Sequence, residues 1–249
     1  MIKIIICGAK GRMGAKVKEI LCSGDARAVC GVDIKEDFSD RQFPVYASFS
    51  DVKEKADVVI DFSSPKSLSG VYDYCVKTAT PVVLCSTGYS EEDLKKIDEL
   101  SAKVAVFRSA NMSLGVNVLI NAVKSAAKTL YGFDVEIIEK HHNKKKDAPS
   151  GTAVMLSDAI KSVYPEKTEV YGRHGLVGER NKDEIGIHSV RGGSIVGEHQ
   201  VIFAGNDEIL TFSHEALSRN VFAEGAVKAA EFIFGKPAGL YDMEDLLNS

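Results

Sequence analysis

Long apolar runs, an excess of positive charge and a cleavable leader pattern are all absent from this 249-residue sequence. No apolar run approaches the length of about 18 residues that a membrane-spanning helix needs. The formal net charge is −4, whereas general nucleic-acid binding usually requires a basic surface. The apolar N-terminal stretch reaches its glycines too early for a signal peptide. We therefore expect a globular protein that binds neither membranes nor nucleic acid.

Cysteine is scarce, and its spacing forms no CxxC pair. The five cysteines all lie in the first third of the chain, at Cys7, Cys22, Cys30, Cys75 and Cys85. An odd number of cysteines at apolar positions indicates reduced, packed thiols rather than disulfides or a metal site. We therefore predict a cytoplasmic protein without a metal ion.

Short apolar runs and helical patterns alternate over residues 3–108. This alternation predicts βαβ units and a parallel sheet. The predicted strands are 3–7, 28–32, 57–62, 81–85 and 104–108, and the predicted helices are 12–21, 65–77 and 91–102. The first part of the chain is therefore predicted to be an α/β domain.

From residue 113 onward the pattern is that of an α+β domain with a mixed or antiparallel sheet. The predicted helices are 113–130, 152–163 and 221–234, and the predicted strands are 133–139, 185–191, 195–203 and 209–214. Glycine-containing turns separate the last three strands, which favours consecutive, roughly antiparallel pairing. We predict that residues 1–112 and 220–249 form the first domain and 113–219 the second.

A glycine-rich segment, Gly8-Ala9-Lys10-Gly11-Arg12-Met13-Gly14, follows the first predicted strand and opens the first helix. Its GxxGxxG spacing differs from the strict GxGxxG fingerprint, but glycine still permits a tight turn and lets backbone amides approach a pyrophosphate. Asp33 ends the second predicted strand, 19 residues after Gly14, where a carboxylate accepts hydrogen bonds from the adenosine ribose. A generic glycine-rich turn is the alternative.

Two further loops follow later strands, and their residues are Cys85, Ser86 and Thr87 in one and Ser109, Ala110, Asn111 and Met112 in the other. Open α/β sheets bind ligands at the carboxyl ends of their strands. We therefore predict a Rossmann-type domain that binds NADH or NADPH. Asp33 favours NADH by repelling a 2′-phosphate, whereas Lys10 and Lys35 lie close enough in sequence to accommodate one.

The densest group of reactive side chains is EKHHNKKKDAPSGT, residues 139–152, with two of the six histidines and four lysines. At its end Ser150, Gly151 and Thr152 open a predicted helix, whose free amides and hydroxyls suit a carboxylate. Histidine carries a proton near neutral pH. We therefore favour an anion site with a proton-coupled step.

Three other interpretations of this segment remain. A solvated basic loop is the usual fate of a charge run. A nucleic-acid patch would have aromatic residues interleaved for base stacking. A metal site would need ligands at suitable spacings, which adjacent histidines do not provide.

Together these segments resemble the dihydrodipicolinate reductase family along the whole chain. The segments that carry the resemblance are GAKGRMG (8–14), DFSSP (61–65), CSTG (85–88), SANMSLGVN (109–117), EKHHNKKKDAPSGTA (139–153), IVGEH (195–199) and GLYDMEDLL (239–247). The most specific is the fifth, which is close to the family signature E-x-H-H-x-x-K-x-D-A-P-S-G-T-A.

The resemblance implies roles for particular residues. His141 is implied as a proton donor or acceptor and Lys145 as a proton donor, while His142 contacts the substrate and Gly151 and Thr152 bind a carboxylate. The implied reaction is NAD(P)H-dependent reduction of the dihydrodipicolinate formed from 4-hydroxy-tetrahydrodipicolinate to tetrahydrodipicolinate, in the diaminopimelate route to lysine. The substrate is a small cyclic dicarboxylate, and the implied assembly is a homotetramer built through the second domain.

Two positions depart from the family pattern. Ile34 stands where some relatives have arginine after the ribose acid, which favours NADH, and Cys85 replaces a smaller glycine. We expect His188, His199 and His214 to be structural, and Arg219 to belong to the structure or the hinge. The rivals are another two-domain NAD(P)-dependent dehydrogenase acting on a small amino or dicarboxylic acid, and a nucleotide-sensing regulator.

Overall fold

A computed structural model describes residues 1–22, 24, 26–39 and 42–249 of the chain. In it the chain forms two compact units. One contains Met1–Leu114 together with Arg219–Ser249, and the other contains Gly115–Ser218.

The bounds of the secondary-structure elements in this described part follow chain order. The strands are β1 (Ile2–Cys7), β2 (Ala26–Val32), β3 (Val45–Tyr46), β4 (Val58–Asp61), β5 (Val82–Leu84), β6 (Ala105–Arg108), β7 (Asp134–His141), β8 (Thr168–Tyr171), β9 (Glu184–Arg191), β10 (Gly197–Ala204), β11 (Ile209–Ala216) and β12 (Gly239–Tyr241). The helices are α1 (Arg12–Leu21), α2 (Leu68–Thr78), α3 (Glu91–Ser101), α4 (Leu114–Thr129), α5 (Gly151–Lys161), α6 (Asn220–Ile233) and α7 (Met243–Leu247).

The first unit is built on a parallel sheet with the strand order β12-β6-β5-β4-β1-β2-β3. All of its carboxyl strand ends therefore lie along one edge. The order reverses between β1 and β4, and such a reversal opens a crevice for ligands outside the carboxyl ends of the two strands. The glycine segment follows β1 at this point.

Apolar side chains cover both faces of the first sheet, as expected for parallel strands. On β1, Ile4 and Ile6 join one buried cluster, while Ile5 and Cys7 join the other. This division follows from the two-residue repeat of a strand. Helix α6 packs against α1 and against the first sheet.

The second unit contains a mixed sheet with the order β11-β10-β7-β9-β8. Strand β7 is antiparallel to β10 and parallel to β9. Its buried positions are Val135, Ile137, Glu139 and His141. Val135 and Ile137 lie in the apolar core with residues of α5. Glu139 and His141 are buried polar residues at the end of the strand.

The expected pairing of consecutive strands is wrong for β9 and β10. They are not neighbours, because β7 hydrogen-bonds between them, and only β10 and β11 form an antiparallel pair of consecutive strands. The glycines at 192–193 thus belong to a connection that crosses β7 rather than to a hairpin. Alternation of side chains predicts strands and their buried faces, but it does not determine which strands are adjacent.

The sequence pattern did not predict several of the short elements. Strands β3, β8 and β12 and helix α7 were not predicted, because each is too short for a clear periodicity. The thiols also differ in part from expectation: all five cysteines are free, and Cys7, Cys30 and Cys75 are buried, but Cys22 is exposed. Its thiol donates to the Lys18 carbonyl oxygen in the last turn of α1.

Candidate functional site

The turn after β1 leaves no space for a side chain at Gly8 or Gly14. Gly8 has a φ of +78°, and a Cβ there would lie 2.9 Å from the Phe62 carbonyl oxygen. A Cβ on Gly14 would clash with the Gly8 carbonyl oxygen. The strand end, the turn and the start of α1 are therefore in close backbone contact, which requires glycine.

The start of α1 is open to an anion. Gly11 is its N-cap and has no side chain to cap the helix, and the first turn contains no acidic residue. Arg12 and Met13 form the start of that turn, while Ala9 is buried and Lys10 is exposed. The amides at a helix N-terminus carry partial positive charge, so this cradle fits a pyrophosphate.

Asp33 lies beside the glycine turn at the end of β2. One carboxylate oxygen accepts a hydrogen bond from the Lys10 backbone N–H at 2.8 Å, and the other accepts one from the Ile34 N–H at 2.8 Å. The Lys10 ammonium pairs with Asp37 at 2.9 Å. Hydrogen bonds from Ser39 and then from Lys10 hold the pKa of Asp37 well below its usual range.

The loop after β5 is tied to the end of β4 through Asp61. The Cys85 N–H donates to the Asp61 carbonyl oxygen at 2.9 Å, and the Ser86 hydroxyl donates to its carboxylate at 3.5 Å. Ser63 donates to the same carboxylate through its N–H and its hydroxyl. Burial raises the pKa of Asp61. Thr87 continues the loop after β5. Asp61 therefore connects the loop after β4 with the loop after β5, a link that the sequence did not predict.

The loop after β6 contains hydrogen bonds among its own residues. The Ser109 hydroxyl donates to the Asn111 carbonyl oxygen at 2.8 Å, and the Asn111 side-chain oxygen accepts from the Ser113 N–H at 2.9 Å. Ala110 is exposed. Met112 is buried in the core, and its carbonyl oxygen lies where a Cβ on Gly225 of α6 would be. Met112 therefore packs the loop against α6.

In the second unit, three side chains meet at the end of β7. The His141 ring nitrogen Nδ1 lies 2.6 Å from the Glu139 oxygen Oε2. The Arg191 guanidinium, at the end of β9, donates to both Glu139 oxygens at 2.7 Å each. Glu139 is fully buried, so this bidentate pair neutralises a carboxylate that has no access to solvent.

The start of α5 joins this group. Ser150 is the N-cap, and its hydroxyl accepts from the Ala153 N–H at 3.2 Å. Its own N–H donates to Glu139 at 3.1 Å. The same hydroxyl lies 2.9 Å from Nε2 of the buried His199, whose ring is edge-on to that of His141 with centroids 5.2 Å apart.

Glycine makes room for the His141 ring. A Cβ on Gly197 would lie 3.1 Å from the His141 Nε2 atom, which is closer than nearly all real contacts of this kind. At the start of α5, by contrast, a Cβ on Gly151 would meet no atom of the described residues within 4 Å. Gly151 is exposed and Thr152 is half-buried, so the first residue of the helix borders open space.

Burial and pairing set the charges of this group. Burial raises the pKa of Glu139, but hydrogen bonds from Arg191, Ser189 and His141 outweigh burial and lower it to about 2. Burial lowers the pKa of His141, although Glu139 opposes that change. Burial, followed by repulsion from His141, lowers the pKa of His199 to about 4. The free protein at neutral pH thus holds an ionised glutamate beside two neutral histidines.

The basic residues of the loop before α5 differ in their surroundings. Lys145 pairs with Asp147 at 2.9 Å, and its N–H donates to the His142 carbonyl oxygen at 3.1 Å. The His142 ring nitrogen Nδ1 is buried and has no hydrogen-bond partner among the described residues. Lys144 and Lys146 are exposed, so their ammonium groups face solvent and add to the positive charge of the loop.

Sequence reasoning missed several residues of this group. Glu139 appeared only as a letter of the signature, Arg191 and Gly197 were not considered, and His199 was expected to be structural. One signal was present: the buried face of β7 changes from apolar residues to Glu139 and His141 without leaving the two-residue repeat. In contrast, His188 binds Glu136 at 2.8 Å on the other face, which agrees with a structural role.

Groups of metal-binding side chains and membrane-spanning helices are both absent from the residues that the structure describes. Histidine, cysteine, aspartate and glutamate side chains form no group of three or more that could hold a metal ion in this part of the chain. No helix there has both the length and the apolar character needed to cross a membrane.

The strand order of the first sheet, with the glycine turn at its reversal point and Asp33 bonded to that turn, defines a Rossmann-type protein of the dinucleotide-binding class. The family description "Dihydrodipicolinate reductase, N-terminus" matches residues 2–112, and "Dihydrodipicolinate reductase, C-terminus" matches residues 115–247. The chain therefore belongs to the dihydrodipicolinate reductase family.

Individual relatives agree with this family. The chain is 55% identical over 249 residues to the 4-hydroxy-tetrahydrodipicolinate reductase of Caldanaerobacter subterraneus subsp. tengcongensis, an alignment that covers 99% of this chain and 98% of the relative. It is 50% identical over 254 residues to the enzyme of the same name from Clostridium tetani, covering 100% and 98%. The structure of dipicolinate-bound dihydrodipicolinate reductase from Paenisporosarcina sp. TG-14 matches with a TM-score of 0.82 at 25% identity, covering 97% of both chains.

Proposed function

We propose that this protein is an NAD(P)H-dependent 4-hydroxy-tetrahydrodipicolinate reductase. It reduces the dihydrodipicolinate formed from 4-hydroxy-tetrahydrodipicolinate to tetrahydrodipicolinate, in the diaminopimelate route of lysine biosynthesis. The observation that carries the proposal is the group of His141, Glu139 and the α5 start around Ser150, in a chain that shares 55% identity with such a reductase along its length.

The first unit provides the residues that would hold a nicotinamide dinucleotide. The glycine turn, residues 8–13, would bind the pyrophosphate and Asp33 the adenosine ribose, while the loops 85–87 and 109–112 would face the nicotinamide. When bound, this cofactor supplies the hydride. NADH is favoured because the Asp33 carboxylate repels a 2′-phosphate, Ile34 adds no positive charge, and the Lys10 ammonium is already paired with Asp37.

The second unit provides the substrate site and the proton. Gly151 and Thr152 bind one substrate carboxylate at the positive end of α5, with the Ser150 hydroxyl beside them. His142, with its buried ring nitrogen, contacts the substrate, and the other carboxylate is attracted by the basic loop.

His141 donates the proton that the reduced ring requires, and Lys145 is a further proton donor. Burial disfavours the charged form of His141 in the free protein. A dicarboxylate nearby stabilises an imidazolium, so substrate binding itself favours protonation of the ring. Substrate binding therefore increases the charged fraction of the donor beside the ring that receives its proton.

The oligomeric state and the cellular location are part of the same proposal. The mixed sheet of the second unit has edge strands that need to be covered, and we propose a cytoplasmic homotetramer assembled through residues 113–219. Sedimentation equilibrium is expected to give four times the mass of the chain, and a monomer would contradict the assembly.

A coupled assay tests the proposed function. The preceding pathway enzyme supplies the substrate, and oxidation of NADH or NADPH is followed by absorbance. We expect substrate-dependent oxidation with both nucleotides and a lower KM for NADH. Binding of NADH without oxidation would contradict the proposal and favour a nucleotide sensor. Oxidation only with a small amino or dicarboxylic acid would instead favour the rival dehydrogenase.

A further inference from the structure

The Glu139 carboxylate is the hub of the group at the end of β7. It accepts from His141 Nδ1 at 2.6 Å, from both Arg191 terminal nitrogens at 2.7 Å, and from the Ser150 N–H at 3.1 Å. An ionised carboxylate accepts hydrogen bonds and cannot donate them. The His141 hydrogen facing Glu139 is therefore on Nδ1, which leaves Nε2 as the atom that gains and loses a proton.

The surroundings of Nε2 agree with that assignment. Gly197 lies in the adjacent strand β10, and a Cβ there would lie only 3.1 Å from Nε2. Glycine at this position therefore keeps a side chain away from Nε2. The ring is held on its Nδ1 side by a charged partner.

Arg191 acts on His141 through Glu139. A buried carboxyl group without a cation becomes protonated, and a protonated Glu139 could donate to Nδ1 and reverse the tautomer. The two guanidinium bonds prevent this, and they bring the pKa of Glu139 down although burial raises it. Arg191 also donates to the Asp147 carbonyl oxygen at 2.8 Å, which fixes the loop that leads into α5.

We propose that Glu139 and Arg191 are positioning residues for His141: Glu139 holds the ring hydrogen on Nδ1, and Arg191 keeps Glu139 ionised. The inference rests on the proposed function only in that His141 is the proton donor of the reaction. The proton leaves imidazolium Nε2 for the substrate ring, the neutral Nδ1–H form remains, and solvent returns a proton to Nε2 before the next turnover.

Four groups face the His141 ring and set its proton affinity. Glu139 on the same strand favours the charged form, whereas Arg191 and Lys145 disfavour it. His199 on β10 is neutral near pH 7, since its pKa is about 4. Removing the Glu139 charge removes the one attraction among these groups, so the pKa of His141 falls further.

The test compares Glu139→Gln with Glu136→Gln. Glu136 is a matched control because it lies on the same strand, is also paired with arginine and contacts a histidine, but on the opposite face. For each variant we would record the ¹⁵N spectrum of the histidine rings, with His141 assigned by its loss in His141→Gln. The pH dependence of kcat and kcat/KM completes the comparison.

We expect Glu139→Gln to reverse the His141 tautomer to Nε2–H, because the glutamine amide donates to Nδ1. Loss of the correct tautomer should lower kcat by roughly 10²–10³-fold, with a much smaller change in KM. The fall of kcat/KM with rising pH should begin at lower pH. Glu136→Gln should leave the spectrum of His141 and the pH profile unchanged.

Arg191→Lys provides a second variant that keeps the positive charge. One ammonium cannot bond both carboxylate oxygens and the Asp147 carbonyl, so we expect a fall in kcat of about 10-fold and the same direction of pH shift. An unchanged tautomer and pH profile in Glu139→Gln would overturn the inference. So would unfolding of both site variants under conditions where Glu136→Gln stays folded, because that result indicates a structural role. The spectra need no substrate, so they test the inference even if the reductase assay fails.

Discussion

The two glutamates on β7, Glu136 and Glu139, have similar pKa values but bind different histidines. Burial raises the pKa of both Glu136 and Glu139, yet hydrogen bonds from arginine and histidine lower each to about 2. Glu136 holds the half-buried His188 among ion pairs of the other sheet face. Glu139 holds His141, whose second ring nitrogen lies against Gly197, where a Cβ would be only 3.1 Å away. The two glutamates therefore orient histidines on opposite faces of the sheet, and Glu139 also binds the start of α5.

Replacing each histidine by glutamine tests this difference. We expect His141→Gln to lower kcat by about 10²–10⁴-fold, because glutamine cannot donate a proton as a general acid. His188→Gln removes a histidine with the same kind of glutamate partner and should leave kcat within about threefold of the wild type. Steady-state kinetics of both variants check this. Near-wild-type turnover in His141→Gln would contradict its role as proton donor.

At the scale of the elements, three helix starts differ in how their amides are satisfied. Helix α3 is closed by a capping box between Ser90 and Asp93. Helix α1 begins at Gly11 with no capping side chain, and α5 is capped by Ser150 but leaves Gly151 in open space. The starts of α1 and α5 are those that the proposed function assigns to anions. A closed start stabilises the fold, and an open one is available to a ligand.

Replacing each capping serine by alanine distinguishes stabilisation of the fold from binding of a ligand. Ser90→Ala should lower the free energy of unfolding by about 1 kcal/mol without changing the substrate KM. Ser150→Ala should lower the free energy of unfolding by about 1–3 kcal/mol more than the loss of a cap alone. The reason is that the buried His199 nitrogen loses its hydrogen-bond partner. Ser150→Ala should also raise the substrate KM. Urea unfolding and steady-state kinetics measure both effects, and an equal KM in the two variants would argue against substrate binding at α5.

At the scale of the whole molecule, the buried groups of the second unit make stability depend on pH. The folded protein holds His199 neutral down to about pH 4, against an ordinary value of 6.5. It holds Glu136 and Glu139 ionised down to about pH 2, against 4.5. In both intervals the unfolded chain binds protons that the folded chain does not. Stability is therefore lost as the pH falls.

We expect the thermal unfolding midpoint to fall as the pH decreases from about 6.5 to 4, and then more steeply below about 4.5 as the glutamates become protonated. His199→Gln removes the titrating ring and should flatten the first decrease while leaving the second. Differential scanning calorimetry across this pH range measures the effect. An unchanged slope between pH 6.5 and 4 in His199→Gln would show that other groups cause the decrease.

The amino-acid sequence by itself determined the parallel α/β character of the first part, the glycine turn and the reactive segment 139–152. These features depend on local patterns: apolar runs make strands, glycine permits tight turns, and an anion site needs a helix start. The family resemblance came from the same local segments, and both family descriptions match the chain accordingly.

Only the tertiary structure decided which distant side chains complete the site. Arg191 lies 52 residues from Glu139, and His199 lies 49 residues from Ser150. They meet because β7 lies between β9 and β10, an order that consecutive pairing would not produce. Each strand shows its own buried face in the sequence, but the identity of its neighbours depends on burial of the whole sheet. The arginine that pairs with Glu139 therefore becomes visible only in the folded chain.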